Sequence, residues 1–201
     1  TGFGLFYWDC GFLLSLCILL VVFTKSACFP FTSWLLEAMR APTPVSCLVH
    51  SSTLVAAGVW FSLRYNFFFG DSVREWLMVF SVYSILLTGA SALFVVDLKK
   101  LVALSTCNNI AWCVLCFSLG DVYTCILFLF THGVSKCLLF ILVGDVMSSS
   151  GGSQSGFGVY SARYSGRWNT GLSVILLSCL SGLPYMGVFL SKHVLLGSSS
   201  L

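Results

Sequence analysis

Charge is what this sequence lacks. Only 8% of its 201 residues are Asp, Glu, Lys or Arg, against roughly a quarter in an ordinary soluble domain, while 58% are hydrophobic. So few charges cannot cover a core of this size, which excludes a soluble globular domain and makes lipid the solvent. A net charge of +3 is no footprint for DNA or RNA, so nucleic acid is not an expected partner. The first apolar run has no basic flank before it and leads into further apolar runs, which speaks against a cleavable signal peptide. Also missing are a Ser with His and acid partners, paired carboxylates and a phosphate loop, so no enzyme constellation is present.

Cysteine is not scarce. Cys10, Cys17, Cys28, Cys47, Cys107, Cys113, Cys116, Cys125, Cys137 and Cys179 nearly all lie in apolar runs and read as small hydrophobes rather than a disulfide framework. The CxxC at Cys113 and Cys116 sits mid-segment without a second pair or nearby ligand histidines, so a redox or metal site is not expected there.

A spanning helix needs about 20 apolar residues. That ruler gives about six candidates, near residues 4–28, 43–64, 76–97, 99–119, 122–145 and 170–196. The runs are long and continuously apolar, so helices and not barrel strands are the viable backbone. The expected class is an all-α membrane protein: a polytopic bundle forming one transmembrane domain over residues 1–201, with residues 146–169 a flexible, Ser- and Gly-rich polar loop. Pro30, Pro42 and Pro44 flank Trp34, Glu37 and Arg40, which predicts a broken helix and a short interfacial piece. Pro184, after Gly182 and Leu183, should break or bend the last span.

The distribution of charge carries the functional signal. Asp9, Glu37, Asp71, Glu75, Asp97, Asp121 and Asp145 all fall in or near segment ends, whereas Lys25, Lys136 and Lys192, with His50 and His132, lie within apolar stretches. A lysine at mid-membrane costs about 2.5–3.5 kcal/mol on insertion scales. Lys25 and Lys192 lie near enough to the ends to snorkel; Lys136 does not. His132, four residues earlier, shares its helix face, with Gly133 and Ser135 leaving room for water or a neighbour. The pair reads as a proton relay, the bland alternative being interhelical hydrogen bonding. His50, followed by Ser51, Ser52 and Thr53, is open to either reading. Asp97, Lys99 and Lys100 are expected in a solvated loop, and the break at Pro184 is either an ordinary proline kink or one that frees carbonyls near Lys192, as at transporter ion sites.

Several motifs resemble one known family in its order: Lys25-Ser26-Ala27, Phe29-Pro30-Phe31, Trp34-Leu35, Glu37-Ala38-Met39, Ala41-Pro42-Thr43-Pro44-Val45-Ser46, Val49-His50-Ser51-Ser52-Thr53, Asp97-Leu98-Lys99-Lys100, Ala103-Leu104-Ser105-Thr106, Thr131-His132 with Lys136, Gly182-Leu183-Pro184 and Ser191-Lys192. Over roughly residues 25–193 the chain resembles the subunit 5 family of NADH dehydrogenase, the antiporter-like membrane subunits of mitochondrial respiratory complex I. The resemblance implies an antiporter-like fold with discontinuous helices, in the mitochondrial inner membrane among other membrane-arm subunits. It implies a proton path through Lys25, His50, His132, Lys136 and Lys192, with Pro30 and Pro184 at helix breaks and His193 accessory. Lys25 falls at a lysine that pairs with a glutamate of an earlier helix. FMN, iron–sulfur clusters and ubiquinone are expected on other subunits, and none in this chain. An independent cation/proton antiporter subunit and a structural remnant are the alternatives.

The chain departs from the family pattern at Cys28, Leu36, Asn108, Asn109 and His193, the last replacing a usual aspartate. The segments that carry the partner glutamate and the long lateral helix do not lie within these residues, so a fragment or a shortened subunit is expected.

Overall fold

The computed structural model describes residues 2–51, 54–156, 159 and 166–199, with side chains described from residue 13 and not at 49–51, 198 or 199. Helices follow one another throughout: α1 (Gly2–Ser26), α2 (Ser33–Glu37), α3 (Thr43–Ser51), α4 (Leu54–Arg64), α5 (Asp71–Ala92), α6 (Leu98–Ser118), α7 (Val122–Ser149), α8 (Arg167–Ser181) and α9 (Phe189–Ser199). Among the described residues there is no strand, only an isolated bridge between Asp97 and Ser155. The all-helical membrane class read from composition is the one observed.

The boundaries correct the sequence ruler in instructive places. α5 begins five residues before the expected start, at Asp71. Gly70, in extended conformation, starts it, and Asp71 and Glu75 fall in its opening turns, where carboxylates complement the helix dipole. The expected span 43–64 is the pair α3 and α4, and the expected span 170–196 is the pair α8 and α9. α8 stops where Gly182 adopts φ 82°, a left-handed conformation that glycine takes without steric cost. α1 ends before Pro30, with Ala27 at φ 52° and the Phe29–Pro30 peptide cis. The interfacial piece is α2 followed by a 3-10 turn over Ala38–Arg40. α7 runs past Asp145 to Ser149.

α5, α6 and α7 are each long and apolar enough to cross a membrane. α6 is central, packed between α5 and α7, with Ala103, Cys107, Ile110, Ala111, Cys113 and Val114 at most 2% exposed. α5 shows Trp76, Val79, Val82, Tyr83 and Leu86 to the outside and turns Ser81, Ser84 and Thr88 inward. Each of the three donates its hydroxyl to a carbonyl of its own helix: Ser81 to Met78 at 2.8 Å, Ser84 to Ser81 at 2.8 Å and Thr88 to Ser84 at 2.7 Å. Small satisfied hydroxyls let backbones approach where lipid gives helices no hydrophobic reason to associate. Cys28, Cys107, Cys113, Cys116 and Cys125 are buried as free thiols, in the positions small hydrophobes would take.

The closest approach is at Gly58 of α4. A Cβ there would lie 2.8 Å from the Ser26 backbone nitrogen and 3.2 Å from the Lys25 Cβ. Glycine therefore seats α4 on the last turn of α1. Replacing Gly58 by alanine is expected to destabilise the protein by about 1–3 kcal/mol, the usual cost of overpacking, read as a lower thermal midpoint in detergent; an unchanged midpoint would refute the contact.

Candidate functional site in the membrane interior

Lys136 projects from the middle of α7 and is 1% exposed. Its ammonium meets α6, donating to the Val102 carbonyl at 3.3 Å and to the Ser105 hydroxyl. Ser105 in turn donates to the same Val102 carbonyl at 2.7 Å. The ammonium is thus held by backbone and hydroxyl dipoles, and among the described residues no carboxylate pairs with it.

His132, one turn earlier on the same face, is also 1% exposed, and neither ring nitrogen has a hydrogen-bond partner among the described residues. The hydroxyls beside it are otherwise engaged, Ser135 donating to the Thr131 carbonyl at 2.8 Å. Consecutive helices α6 and α7 run antiparallel, with the Cys125 thiol on the Cys113 carbonyl at 3.3 Å. In that register, which Lys136 on the Val102 carbonyl repeats, His132 lies level with Thr106 of α6, between Ser105 and the asparagines Asn108 and Asn109. Asn109 is 5% exposed, and the buried Asn108 Oδ1 is without a partner among the described residues. One polar rung thus crosses from α7 to α6, Lys136 to Ser105, and His132 lies level with the same stretch of α6. Buried polar groups left unsatisfied by protein are rare and costly; among the described residues both His132 nitrogens and the Asn108 Oδ1 are such groups, as are atoms of Trp34, Arg74 and Asp121 elsewhere, and water can complete them.

His50 sits near the end of α3, and its side chain lies outside the described residues. α3 packs along α7: a Cβ on Gly144 would lie 3.5 Å from the Thr43 side chain, and the Cys47 thiol sits on the Cys137 carbonyl at 3.5 Å. Continuing that register one turn brings the backbone of His50 level with Lys136 and Cys137.

Lys192, in the first turn of α9, reaches back across the helix break. Its Nζ donates to the Ser181 carbonyl at 3.4 Å, at the C-terminal end of α8. That end carries the negative pole of the helix dipole and carbonyls no helix uses. Gly182 makes room: a Cβ there would lie 3.3 Å from the lysine Cδ. Pro184 lies within the break, as expected from the sequence. His193 is exposed and packs its ring on Phe189, centroids 4.6 Å apart. Lys25, in the last turn of α1, is exposed. His132 and Lys136 are thus brought together, with α3 carrying His50 to their level, while Lys25 and Lys192 stand at helix ends.

The sequence reading missed two residues. Ser105 was visible only as part of a motif, although its spacing of three and four residues from Asn108 and Asn109 marks a polar helix face. Lys99, expected in a solvated loop, lies in the first turn of α6 and is 7% exposed. Asp97 and Lys100 form an i,i+3 ion pair at 2.9 Å, and adjacent helical residues diverge by about 100°, so pairing Lys100 outward turns Lys99 inward.

Residues 5–200 match the model of the NADH:quinone oxidoreductase/Mrp antiporter transmembrane family. The chain belongs to that family. Among relatives, it is 40% identical over 182 residues to NADH-ubiquinone oxidoreductase chain 5 of Mytilus edulis, covering 89% of this chain and 32% of that protein. Against the chain 5 of Artemia franciscana it is 39% identical over 204 residues, covering 96% of this chain and 36% of the other. The chain thus spans about a third of the length of these relatives. Among solved structures it is similar to the Mrp complex from Dietzia sp. DQ12-45-1b, with TM-score 0.81 and 28% identity, covering 94% of this chain and 21% of that one. An archaeal membrane-bound sulfane sulfur reductase shares the fold at TM-score 0.77 and 19% identity, over 89% of this chain and 38% of the other. The family's antiporter-like architecture is the one expected from the motifs.

Substituting Ser105 by alanine removes one acceptor from the Lys136 ammonium and leaves the Val102 carbonyl. The expected cost is about 1 kcal/mol, in the range of interhelical hydrogen bonds in membranes, measured as a lowered thermal midpoint that is not lowered further when Lys136 is already methionine. Additive losses would show that the two side chains do not act together.

Proposed function

We propose that this chain forms the proton-conducting core of a membrane subunit of mitochondrial NADH:ubiquinone oxidoreductase. Protons would pass along a mid-membrane path through Lys25, His50, His132, Lys136 and Lys192, driven by quinone reduction elsewhere in the complex. The observation that carries the reading is the polar group midway along α6 and α7: Lys136, His132 and Asn109 buried, with Ser105 and Asn108 half-buried on the same stretch. A structural hydrogen-bond network would satisfy its members; this one leaves both His132 ring nitrogens and the Asn108 Oδ1 without protein partners among the described residues, as a chain of exchanging waters requires. Lysine carries three donors and can release one proton to such a chain, and histidine can take and pass one. Lys192 on the end of α8 is the arrangement by which half-helix carbonyls hold a cation near a helix break.

On this reading the subunit sits in the inner membrane against other membrane-arm subunits and lipid. It contributes no redox step: FMN, iron–sulfur clusters and ubiquinone belong to other chains. The carboxylate that would modulate Lys25 belongs to an earlier helix of the subunit or to a neighbouring chain. The second reading, an independent cation/proton antiporter subunit, draws on the likeness to the Mrp complex; co-purification with NADH oxidation separates the two.

Lys136→Met removes the titratable group and keeps most of the apolar stem. In sealed vesicles containing the assembled complex, with the subunit's presence verified, protons pumped per NADH oxidised are expected to fall by at least about tenfold relative to a mutant-free control, the range in which loss of one positioned proton carrier falls. An unchanged ratio in a fully assembled complex would leave Lys136 as packing and overturn the relay.

A further inference from the structure

We propose that the cavity at the N-terminal end of α6 binds the phosphate headgroup of an acidic phospholipid, with Lys99 as its buried cation. The cavity holds 410 Å³ and lies between α2 with its 3-10 turn and the start of α6; Ser33, Glu37, Arg40, Lys99 and Lys100 are among its lining.

The charges here do not balance. Glu37 is 3.5 Å from Arg40 and Asp97 is 2.9 Å from Lys100, so each carboxylate already has a cation. Lys99 is left over. It is 7% exposed, and among the described residues its ammonium makes one hydrogen bond, to the Ala41 carbonyl at the long distance of 3.4 Å. An ammonium has three donors, and a buried charge without a counter-ion is among the most costly features a structure can hold. An anion in the cavity would neutralise it. The backbone adds to this: Asp97 starts α6 without capping it through its carboxylate, and although the Leu98 amide is taken by the Gln154 carbonyl at 3.1 Å, the positive end of the helix dipole lies at this end.

The surroundings select a lipid over a soluble anion. The cavity lies where α5 ends, α6 begins and α7 ends, at the height where spans leave the hydrocarbon. Leu36 and Met39 contribute to its wall. Leu93 and Phe94, each 85% exposed, shortly precede Asp97 in the chain and would offer acyl chains an apolar surface. A basic pocket at the mouth of a helix bundle, rimmed by apolar side chains, fits a phosphodiester attached to two hydrocarbon tails. This proposal uses only the membrane placement of the chain and stands or falls apart from the proton path.

The test uses the native membrane assembly in nanodiscs of phosphatidylcholine doped with a phosphatidylglycerol bearing a photoactivatable group beside its phosphate. Crosslinks should map to residues 31–40 and 93–101. Lys99→Gln should lower them about fivefold, the worth of about one basic contact at an anionic lipid surface, and Lys99→Arg should retain them. If Lys99→Gln prevents assembly, the exposed rim pair Arg40→Gln with Lys100→Gln reports the same loss. Undiminished crosslinking in these variants overturns the proposal. Loss of crosslinking on adding inorganic phosphate alone overturns the lipid as the source, and a carboxylate-directed crosslink from Lys99 to a neighbouring subunit assigns the anion to protein and overturns it as well.

Discussion

An ammonium in a membrane interior must be answered by dipoles or by a counter-charge, and the packing of this chain follows from how Lys136 is answered. The answer comes from α6, not from a carboxylate: a backbone carbonyl at residue 102 and a serine hydroxyl one turn on. For that to work α6 must lie at the centre, close to α7, and its buried residues include Ala103, Thr106, Cys107, Asn109, Ala111, Cys113 and Cys116, small enough to let the backbones approach, among larger Val, Leu, Ile and Phe side chains. Large apolar side chains of α5 and α7, among them Trp76, Leu86, Phe130 and Ile141, also cover the outside. The arrangement departs from a soluble protein's in that hydroxyls and titratable groups share the interior with Phe117, Phe128 and Phe140 while Leu, Phe and Trp are exposed as well.

The helix breaks serve the same constraint at the ends of the bundle. A backbone that stops being helical in hydrocarbon exposes carbonyls and amides that nothing else will satisfy. At the α8–α9 break the free carbonyl of Ser181 is met by Lys192, so an unsatisfied acceptor and an unsatisfied donor settle one another. Glycine permits this twice over, by the left-handed φ at residue 182 and by leaving the lysine stem a place to lie. Gly58 performs the related service for α1, where α4 can come onto the final turn that bears Lys25. Breaks and close contacts are thus located where lysines are.

Much of this was legible because the membrane limits the possibilities. Long apolar runs can only be helices, so class and approximate spans followed from hydropathy, and the buried lysine and histidine stood out because every acid lay at a segment end. What was not legible depends on rotation and register. Nothing in a run of apolar residues says which face of α6 meets α7, so Ser105 could not be chosen over its hydroxyl-bearing neighbours. Lys99 was assigned to solvent because Lys-Lys beside Asp usually is solvated; only the observed pairing of Asp97 with Lys100 turns its neighbour inward. The early start of α5 was hidden because Asp71 and Glu75 lower the apolar count of a window, although at a helix start their charge favours the structure.

The lysines of the interior and of the helix break share one property that bears on function: among the described residues each is held by oxygen dipoles and none by an ion pair. An ion pair at contact distance in a medium of low dielectric fixes its proton, because separating the charges there costs several times what it costs in water. Carbonyls and hydroxyls favour an ammonium without opposing its neutral form so steeply, since a serine hydroxyl can donate to the amine as readily as accept from the ammonium. Ser105 is placed to make that exchange at Lys136, while its present donation to Val102 occupies the proton it would turn toward the neutral amine. When Lys136 passes a proton to a neighbouring water, the Ser105 contact would therefore adjust by a rotation of one hydroxyl. A site that rearranges by a bond rotation, not by parting a salt bridge, is suited to passing protons repeatedly.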